Sequence, residues 1–189
     1  MGIAPSSMKA AALPLWRGPA VGFEQPFEML EACHERVQRT LALLQRLCLH
    51  LRERGCDEDA RQAARDVLRY FDQAAPLHHE DEERHVFPPL LEGGDAPTVA
   101  LVHRLQREHG EMAADWARAR LPLMGLAEGR LTGFGGYDEA LFEHFAACYA
   151  GHIEMEERLA YPPTRGLLPA PAQAAMGQEM AARRGARPR

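Results

Sequence analysis

The sequence predicts an all-α fold, an up-down-up-down antiparallel four-helix bundle. Apolar residues recur at helical spacing along several long stretches, and no segment shows the alternation that marks a strand. A twelve-residue phrase at 78–89 also returns at 152–163 with seven identical positions, so the chain looks like two helical hairpins in tandem. Because short connections make neighbouring helices antiparallel, two such hairpins predict a four-helix bundle.

The first two helices have clear signals at their ends. The first is predicted over 26–54 and ends at Gly55. Asp57 then caps a second helix that continues to about Leu91, and Pro76 is expected to kink or break it. The apolar positions of the first helix recur at helical spacing and are predicted to face the core: Leu30, Val37, Leu41, Leu44 and Cys48.

The third and fourth helices are separated by a glycine-rich linker at 131–136. A turn at 93–95 precedes the third helix, which is predicted over 97–121 with a proline at its first position. The fourth helix is predicted over 137–160, and the proline pair at 162–163 is expected to stop it.

The chain of 189 residues fits one domain of ordinary size. We predict an extended N-terminal arm at 1–23, the bundle at 24–163 and a tail at 164–189 with at most one short helix, near 173–183. The arginines at 183–189 are expected to form a mobile, solvated end.

Composition excludes several classes of protein. With 46% hydrophobic and 26% charged residues the chain is expected to be globular, and its net charge of -5 argues against a nucleic-acid partner. No apolar run approaches the roughly 20 residues of a membrane helix, and no secretory signal is recognisable. The four cysteines form no close pair, which favours a reduced, cytoplasmic protein.

The repeated phrase carries a candidate metal site. Each copy contains a His with a Glu four residues later, and on a helix those side chains lie one turn apart on one face. Each hairpin also has a lone His on its first helix, at matched spacing. The six candidate ligands are His34, His78, Glu82, His109, His152 and Glu156.

Imidazole and carboxylate together suit iron, manganese or zinc. Each of two metals could take two His nitrogens, and Glu82 and Glu156 could each bridge both metals with one oxygen apiece. A bridging hydroxide or oxide would cancel further positive charge. Six protein ligands leave both metals short of six-coordination, so a small molecule can bind. Zinc fits the ligands but supplies no redox chemistry.

These residues resemble the hemerythrin-like, HHE cation-binding family over about 26–163. The resemblance implies a four-helix bundle with two non-haem iron ions, in which the four His are terminal ligands and the two Glu bridge. The oxygen-carrying hemerythrins have a second His where this chain has Leu105, and an Asp at the spacing of Glu157. The four-His, two-Glu set looks closer to the iron–sulfur cluster repair proteins of the same superfamily.

Residues beside the candidate ligands receive plainer interpretations. Glu83 and Glu157 are expected to face solvent or to support a ligand through a hydrogen bond, and His79 is expected on the surface. His85 is predicted to be a packed core histidine rather than a fifth nitrogen ligand. Cys148, four residues before a candidate ligand, is predicted to be a small inward-facing core residue.

We therefore expect a non-haem di-iron protein that binds or senses a small diatomic ligand such as oxygen or nitric oxide. Vacant metal positions without the signature of a larger substrate pocket favour binding over turnover. The alternative is a di-iron redox enzyme: a ferroxidase, a peroxidase or a protein related to nitric oxide handling and iron–sulfur repair. A third hypothesis is a metal that only stabilises the bundle. The residues alone do not separate the first two, and they do not predict the oligomeric state.

Overall fold

The structure is a computed structural model and describes residues 21–186. Most of the predicted arm, 1–20, and the end of the tail, 187–189, lie outside the described residues. Over 21–186 all regular secondary structure is helical and there is no strand, which confirms the all-α class.

Helix α1, Pro26–Arg54, has the predicted boundaries. Pro26 suits the first turn, where a missing N–H is no loss, and Gly55 ends the helix with a φ of 80° that favours glycine. All five apolar side chains predicted to face the core from α1 are buried. The periodicity of this helix therefore identified its buried face correctly.

Helix α2 runs from Glu58 to Gly93 without a break. Its α-helical segments Glu58–Arg69, Ala75–Asp81 and Phe87–Gly93 are joined by π-helical segments Tyr70–Ala74 and Glu82–Val86. At its start, the Asp57 carboxylate accepts a hydrogen bond from the Ala60 amide, as the sequence predicted for a cap. Pro76 does not break the helix.

Helix α3, Ala96–Ala127, begins as predicted but ends six residues later than expected. Pro122, the residue after the predicted end, lies inside the helix. An interior proline destabilises a helix by about 3 kcal/mol. Leu123 and Leu126 beyond it are fully buried, and their burial offsets that loss.

Helix α4 comprises the α-helical segments Gly136–Met155 and Tyr161–Leu167, joined by the π-helical segment Glu156–Ala160. The predicted stop at Pro162 is therefore wrong. In α2 and α4, three α-helical segments that directly follow a π-helical segment have a proline as their second residue. These prolines are Pro76, Pro88 and Pro162. The wider π turn leaves a backbone acceptor without its usual amide partner, so a proline that lacks the N–H is tolerated there.

A fifth helix, α5, spans Ala170–Arg183 and packs on α1. Met176 and Met180 on α5 are buried against the bundle. Gly177 allows the backbone of the segment before α1 to approach closely, since a Cβ there would lie 1.8 Å from the Phe23 carbonyl oxygen.

The arginines at the end of α5 are not a mobile, solvated end. Arg183 and Arg184 both contact the carboxylate of Asp81, which is fully buried on α2. A buried charge requires such partners, because an unpaired carboxylate in the interior is strongly unfavourable. The expectation was wrong because nothing in the local sequence of the tail indicates a buried acid elsewhere in the chain.

Helix α1 packs against α2 and α4, and α3 packs against the same two helices. Two apolar clusters fill the interior. One contains Leu41, Phe71, Trp116 and Phe145, and the other contains Phe27, Leu30, Phe87 and Met180. Within the described residues, no helix combines the length and hydropathy needed to cross a bilayer.

Candidate metal centre

The six side chains predicted as ligands form one buried layer between the two apolar clusters. We call this set the polar layer: His34, His78, Glu82, His109, His152 and Glu156. The most exposed member, His109, has only 7% of its surface accessible. Helices α1, α2, α3 and α4 all contribute to the layer, so packing of the bundle itself assembles it.

Glu82 presents one oxygen to each of two histidine pairs. Its Oε1 lies 3.5 Å from His78 Nε2 and 3.9 Å from His34 Nε2. Its Oε2 lies 3.5 Å from His109 Nε2. A carboxylate placed in this way can bridge two cations.

Glu156 has the same arrangement from the opposite hairpin. Its Oε2 lies 3.1 Å from His34 Nε2, whereas its Oε1 lies 2.9 Å from His152 Nε2 and 3.4 Å from His109 Nε2. The first histidine pair is thus His34 with His78, and the second is His109 with His152. His34, His78, Glu82 and Glu156 form one group of potential metal ligands, and His109, His152 and Glu156 form the other. Glu82 approaches the second group through its 3.5 Å contact with His109.

Several buried atoms of the polar layer have no hydrogen-bond partner within residues 21–186. They are Oε2 of Glu82, both side-chain oxygens of Glu156, Nε2 of His109 and His152, and Nδ1 of His78. Some of these nitrogens and oxygens are only about 3 Å apart, but the angles between them are unsuitable for hydrogen bonds. Buried atoms left unpaired are costly. The donor set therefore fits metal ions, towards which several lone pairs can point together.

Three outer carboxylates fix the orientation of three of the imidazoles. Glu157 lies 2.9 Å from His34 Nδ1, and Glu83 lies 3.0 Å from His109 Nδ1. These two contacts fulfil the expectation that the acids could support a ligand. An Nδ1–H donated to a carboxylate leaves the Nε2 lone pair free for a metal and raises the basicity of the ring.

The third outer carboxylate is Glu108, whose Oε2 lies 2.8 Å from His152 Nδ1. Sequence reasoning missed it. The available signal was its position directly before His109, on a helix that faces α4. By the spacing of the repeat, the first hairpin has Cys33 at this place, and Nδ1 of His78 has no partner among the described residues. The thiol of Cys33 is buried, which raises its pKa.

Two aromatic rings cover the polar layer on one side. Phe87 stacks on His109 with ring centroids 5.6 Å apart, and Tyr161, its counterpart in the repeat, stacks on His34 at the same distance. The Tyr161 hydroxyl donates to Glu82 Oε1 and lies 3.2 Å from His34 Nε2. The two hairpins therefore differ by one hydroxyl inside the centre.

The carboxylates perturb the pKa values of the histidines strongly. Burial lowers the pKa of His34 and of His109, but Glu156 and Glu82 outweigh burial and raise these values to about 9 and about 10. The pKa of His78 is far below its usual value because the ring is buried beside other histidines.

The two central carboxyls differ in the same way. Burial and the proximity of Glu156 raise the pKa of Glu82 to about 7. Burial opposes ionisation of Glu156, but contacts with His109, His152 and His34 hold its pKa well below the usual range. Protons on imidazole thus supply, in the metal-free layer, the positive charge that a cation would supply. Metal binding should release them.

Two neighbouring histidines do not lie where the sequence predicted. His79 is partly buried rather than on the surface, since its ring stacks on His109 with centroids 4.0 Å apart, and burial lowers its pKa to about 3. His85 is neither a ligand nor a core residue: its Nε2 lies 2.7 Å from Glu179 on α5. Both errors arose because helical periodicity within α2 does not indicate which other helix covers a given face.

Cys148 is not an inward core residue. It is partly exposed and lies beside His144 and Asp115. It also lines a groove of about 260 Å³ between α3 and α4, which extends to His152 of the polar layer. Glu108 and Met112 line the same groove.

Comparison with known proteins adds two findings. The model of the hemerythrin HHE cation-binding domain matches residues 25–164, nearly all of the helical body. An uncharacterized protein of Haemophilus influenzae is 33% identical over 162 residues, which cover 86% of this chain and 91% of the relative.

Proposed function

Because the chain belongs to the hemerythrin HHE cation-binding domain family, we propose that its polar layer holds two non-haem iron ions, with a bridging oxo or hydroxo group. His34 with His78 and His109 with His152 are the terminal ligands in this proposal. Glu82 and Glu156 are the bridging ligands. We also infer that α1 to α4 run up, down, up and down, since the connections between them are short.

The observation that carries this proposal is the position of the two buried carboxylates. Each has one oxygen near the first histidine pair and the other near the second. Three of these four oxygens have no hydrogen-bond partner in the part of the chain that the structure describes. Two divalent cations would satisfy these atoms and balance the buried charge.

We propose that the centre binds or senses a small diatomic molecule, oxygen or nitric oxide. When bound, iron supplies the reversible binding and redox chemistry that the side chains lack. The groove that reaches His152 has about 260 Å³, less than the roughly 300–1,000 Å³ of sites for larger organic ligands. The apolar clusters on both sides of the polar layer keep it away from bulk water.

A reversible spectral change tests this function. Iron-loaded protein is reduced without air, exposed to oxygen or nitric oxide, and then flushed with inert gas. We expect the spectrum to change and return over several cycles, with the iron retained. Glu154 lies on the same helix as Glu156 but is exposed, so Glu154→Gln is a control for a change that does not touch the polar layer. It should behave as the unmodified protein. Irreversible bleaching with loss of iron contradicts the proposal.

A redox enzyme is the second candidate, and Tyr161 is the observation that favours it. A phenol in contact with Glu82 and His34 places an oxidisable group inside the centre. With an added reductant, each protein molecule would then convert many molecules of peroxide or nitric oxide. The rate should fall sharply in His78→Ala. Equal rates in the unmodified protein and in His78→Ala would exclude this candidate.

A further inference from the structure

A second group of metal-binding side chains lies outside the polar layer. Asp115 on α3 and His144 and Cys148 on α4 bring a carboxylate oxygen, an imidazole nitrogen and a sulfur within 4.8 Å of one another. His144 and Cys148 are four residues apart and share one helical face. We propose that these three residues form a separate surface site for a borderline transition-metal ion of the Zn²⁺ class.

The distances within this group suit tetrahedral coordination. His144 Nε2 lies 3.3 Å from Asp115 Oδ2 and 3.8 Å from Cys148 Sγ. With bonds of about 2.0–2.3 Å to zinc, neighbouring ligand atoms of a tetrahedron are about 3.3–3.7 Å apart. Both distances from His144 are thus close to those of a tetrahedral site, and the oxygen of Asp115 and the sulfur of Cys148 lie within 4.8 Å of each other. The fourth position is open to water or to Glu111, one turn before Asp115 on α3.

The Asp115 carboxylate already divides its two oxygens between two neighbours. Its Oδ1 accepts from the Arg118 guanidinium, while Oδ2 faces His144. The oxygen on the side of His144 and Cys148 is thus not occupied by the arginine. Because the His144 side chain is 65% exposed, its ring can adjust to an ion without disturbing the core.

An ordinary ion pair between His144 and Asp115 explains two members of the group but not the sulfur. Burial raises the pKa of the Cys148 thiol, and the carboxylates of Asp115, Glu111 and Glu108 raise it further. The same negative potential attracts a cation, and a soft thiolate selects a transition metal over calcium or magnesium. The presence of all three ligand types is therefore the feature that distinguishes a cation site from an ion pair.

Cobalt(II) is a suitable probe, because a thiolate bound to cobalt gives an intense charge-transfer band. None of the six residues of the polar layer carries sulfur, so cobalt bound there alone would not produce this band. We expect iron-loaded protein to bind one cobalt ion per chain with the band. Cys148→Ser should abolish it, and His144→Ala should weaken binding at least tenfold. Cys56→Ser, at another partly exposed cysteine, is the matched control and should keep it.

Three outcomes would overturn the proposal. The first is the absence of the band at stoichiometric cobalt, and the second is a band that persists in Cys148→Ser. The third is equal cobalt affinity in His144→Ala and the unmodified protein. Melting temperatures of the iron-loaded variants verify that each one is folded. Iron content separates this proposal from the di-iron proposal, since Cys148→Ser should leave the iron of the polar layer unchanged.

Discussion

At the level of residues, the two histidine pairs of the polar layer are not equivalent. Both rings of the second pair, His109 and His152, have a carboxylate on Nδ1. In the first pair only His34 has one, and the repeat puts Cys33 where the second hairpin has its third outer acid. Since such carboxylates orient metal ligands and raise their basicity, the proposed metal site at His109 and His152 should bind its ion more tightly than the one at His34 and His78.

Glu108→Gln should weaken metal binding about 10- to 100-fold, because it removes the charged partner of His152 Nδ1. A chelator competition titration measures this change. Glu154→Gln on the outer face of α4 is the control and should have no effect. Unchanged affinity in Glu108→Gln would show that this carboxylate does not support the centre.

Tyr161→Phe should destabilise the metal-free protein more than the metal-loaded protein. Removing the hydroxyl leaves a buried oxygen of Glu82 without its donor, which costs about 1–3 kcal/mol, whereas a bound cation would satisfy that oxygen. Denaturant unfolding of both forms measures the difference. Tyr149→Phe, at a buried tyrosine that makes no hydrogen bond to Glu82, is the control. Equal losses in the two forms would contradict this account.

The metal-free protein should lose stability as the pH rises from about 7 to about 10. His34 and His109 have folded pKa values of about 9 and about 10, above the ordinary value near 6.5. Their protonation therefore stabilises the fold fully below about pH 6.5, and this contribution is lost as the pH passes through 9 to 10. In the metal-loaded protein the same rings bind metal instead of protons. Melting temperatures against pH should diverge between the two forms, and parallel curves would contradict the prediction.

Sequence spacing alone identified the six side chains of the polar layer, because a His and a Glu four residues apart share a helical face. It could not identify Glu108 or locate His79, since those contacts depend on which helix lies opposite. Cys148 shows the same limit. Its spacing to His152 implied an inward position, but the packing of α3 on α4 leaves it partly exposed in the groove.

At the level of elements, two of the three π-helical segments in the described residues lie at the polar layer. One begins at Glu82 and another at Glu156, the two proposed bridging residues. Such segments concentrate at functional sites, because the extra residue in the turn changes the direction in which side chains point. In the sequence, the only signal near these two segments is the proline pair that ends each copy of the phrase. That signal was interpreted as a stop in α4, and there the prediction of the helix end failed.

Helix α5 is held to the bundle by a buried charge, and this contact can be tested. Replacing both Arg183 and Arg184 with Ala leaves the Asp81 carboxylate buried and unpaired, which should destabilise the protein by about 3–5 kcal/mol. Adding Asp81→Ala should recover part of that loss, since the unpaired charge is then gone. Chemical denaturation of the variants measures both steps.

The exposed Arg158, with 73% of its side chain accessible, is the control, and its change to Ala should cost less than about 1 kcal/mol. If the paired substitution of Arg183 and Arg184 costs no more than this control, the ion pairs do not hold α5 in place.

At the level of the whole molecule, the polar layer lies between two apolar clusters, and each of the helices α1 to α4 contributes at least one of its side chains. The all-α class followed from the helical spacing of apolar residues, and the position of the polar layer followed from the repeat, which encodes the same unit twice. The attachment of α5 did not follow, because it depends on contacts between segments about 100 residues apart. Long-range pairs of this kind have no periodic signal in a single sequence.

Anomalous diffraction at the iron edge, from crystals of the iron-loaded protein, tests the central claim most directly. We predict two iron peaks per chain, one beside His34 and His78 and the other beside His109 and His152, with Glu82 between them. A single peak, or iron bound elsewhere with these side chains unliganded, would contradict the account.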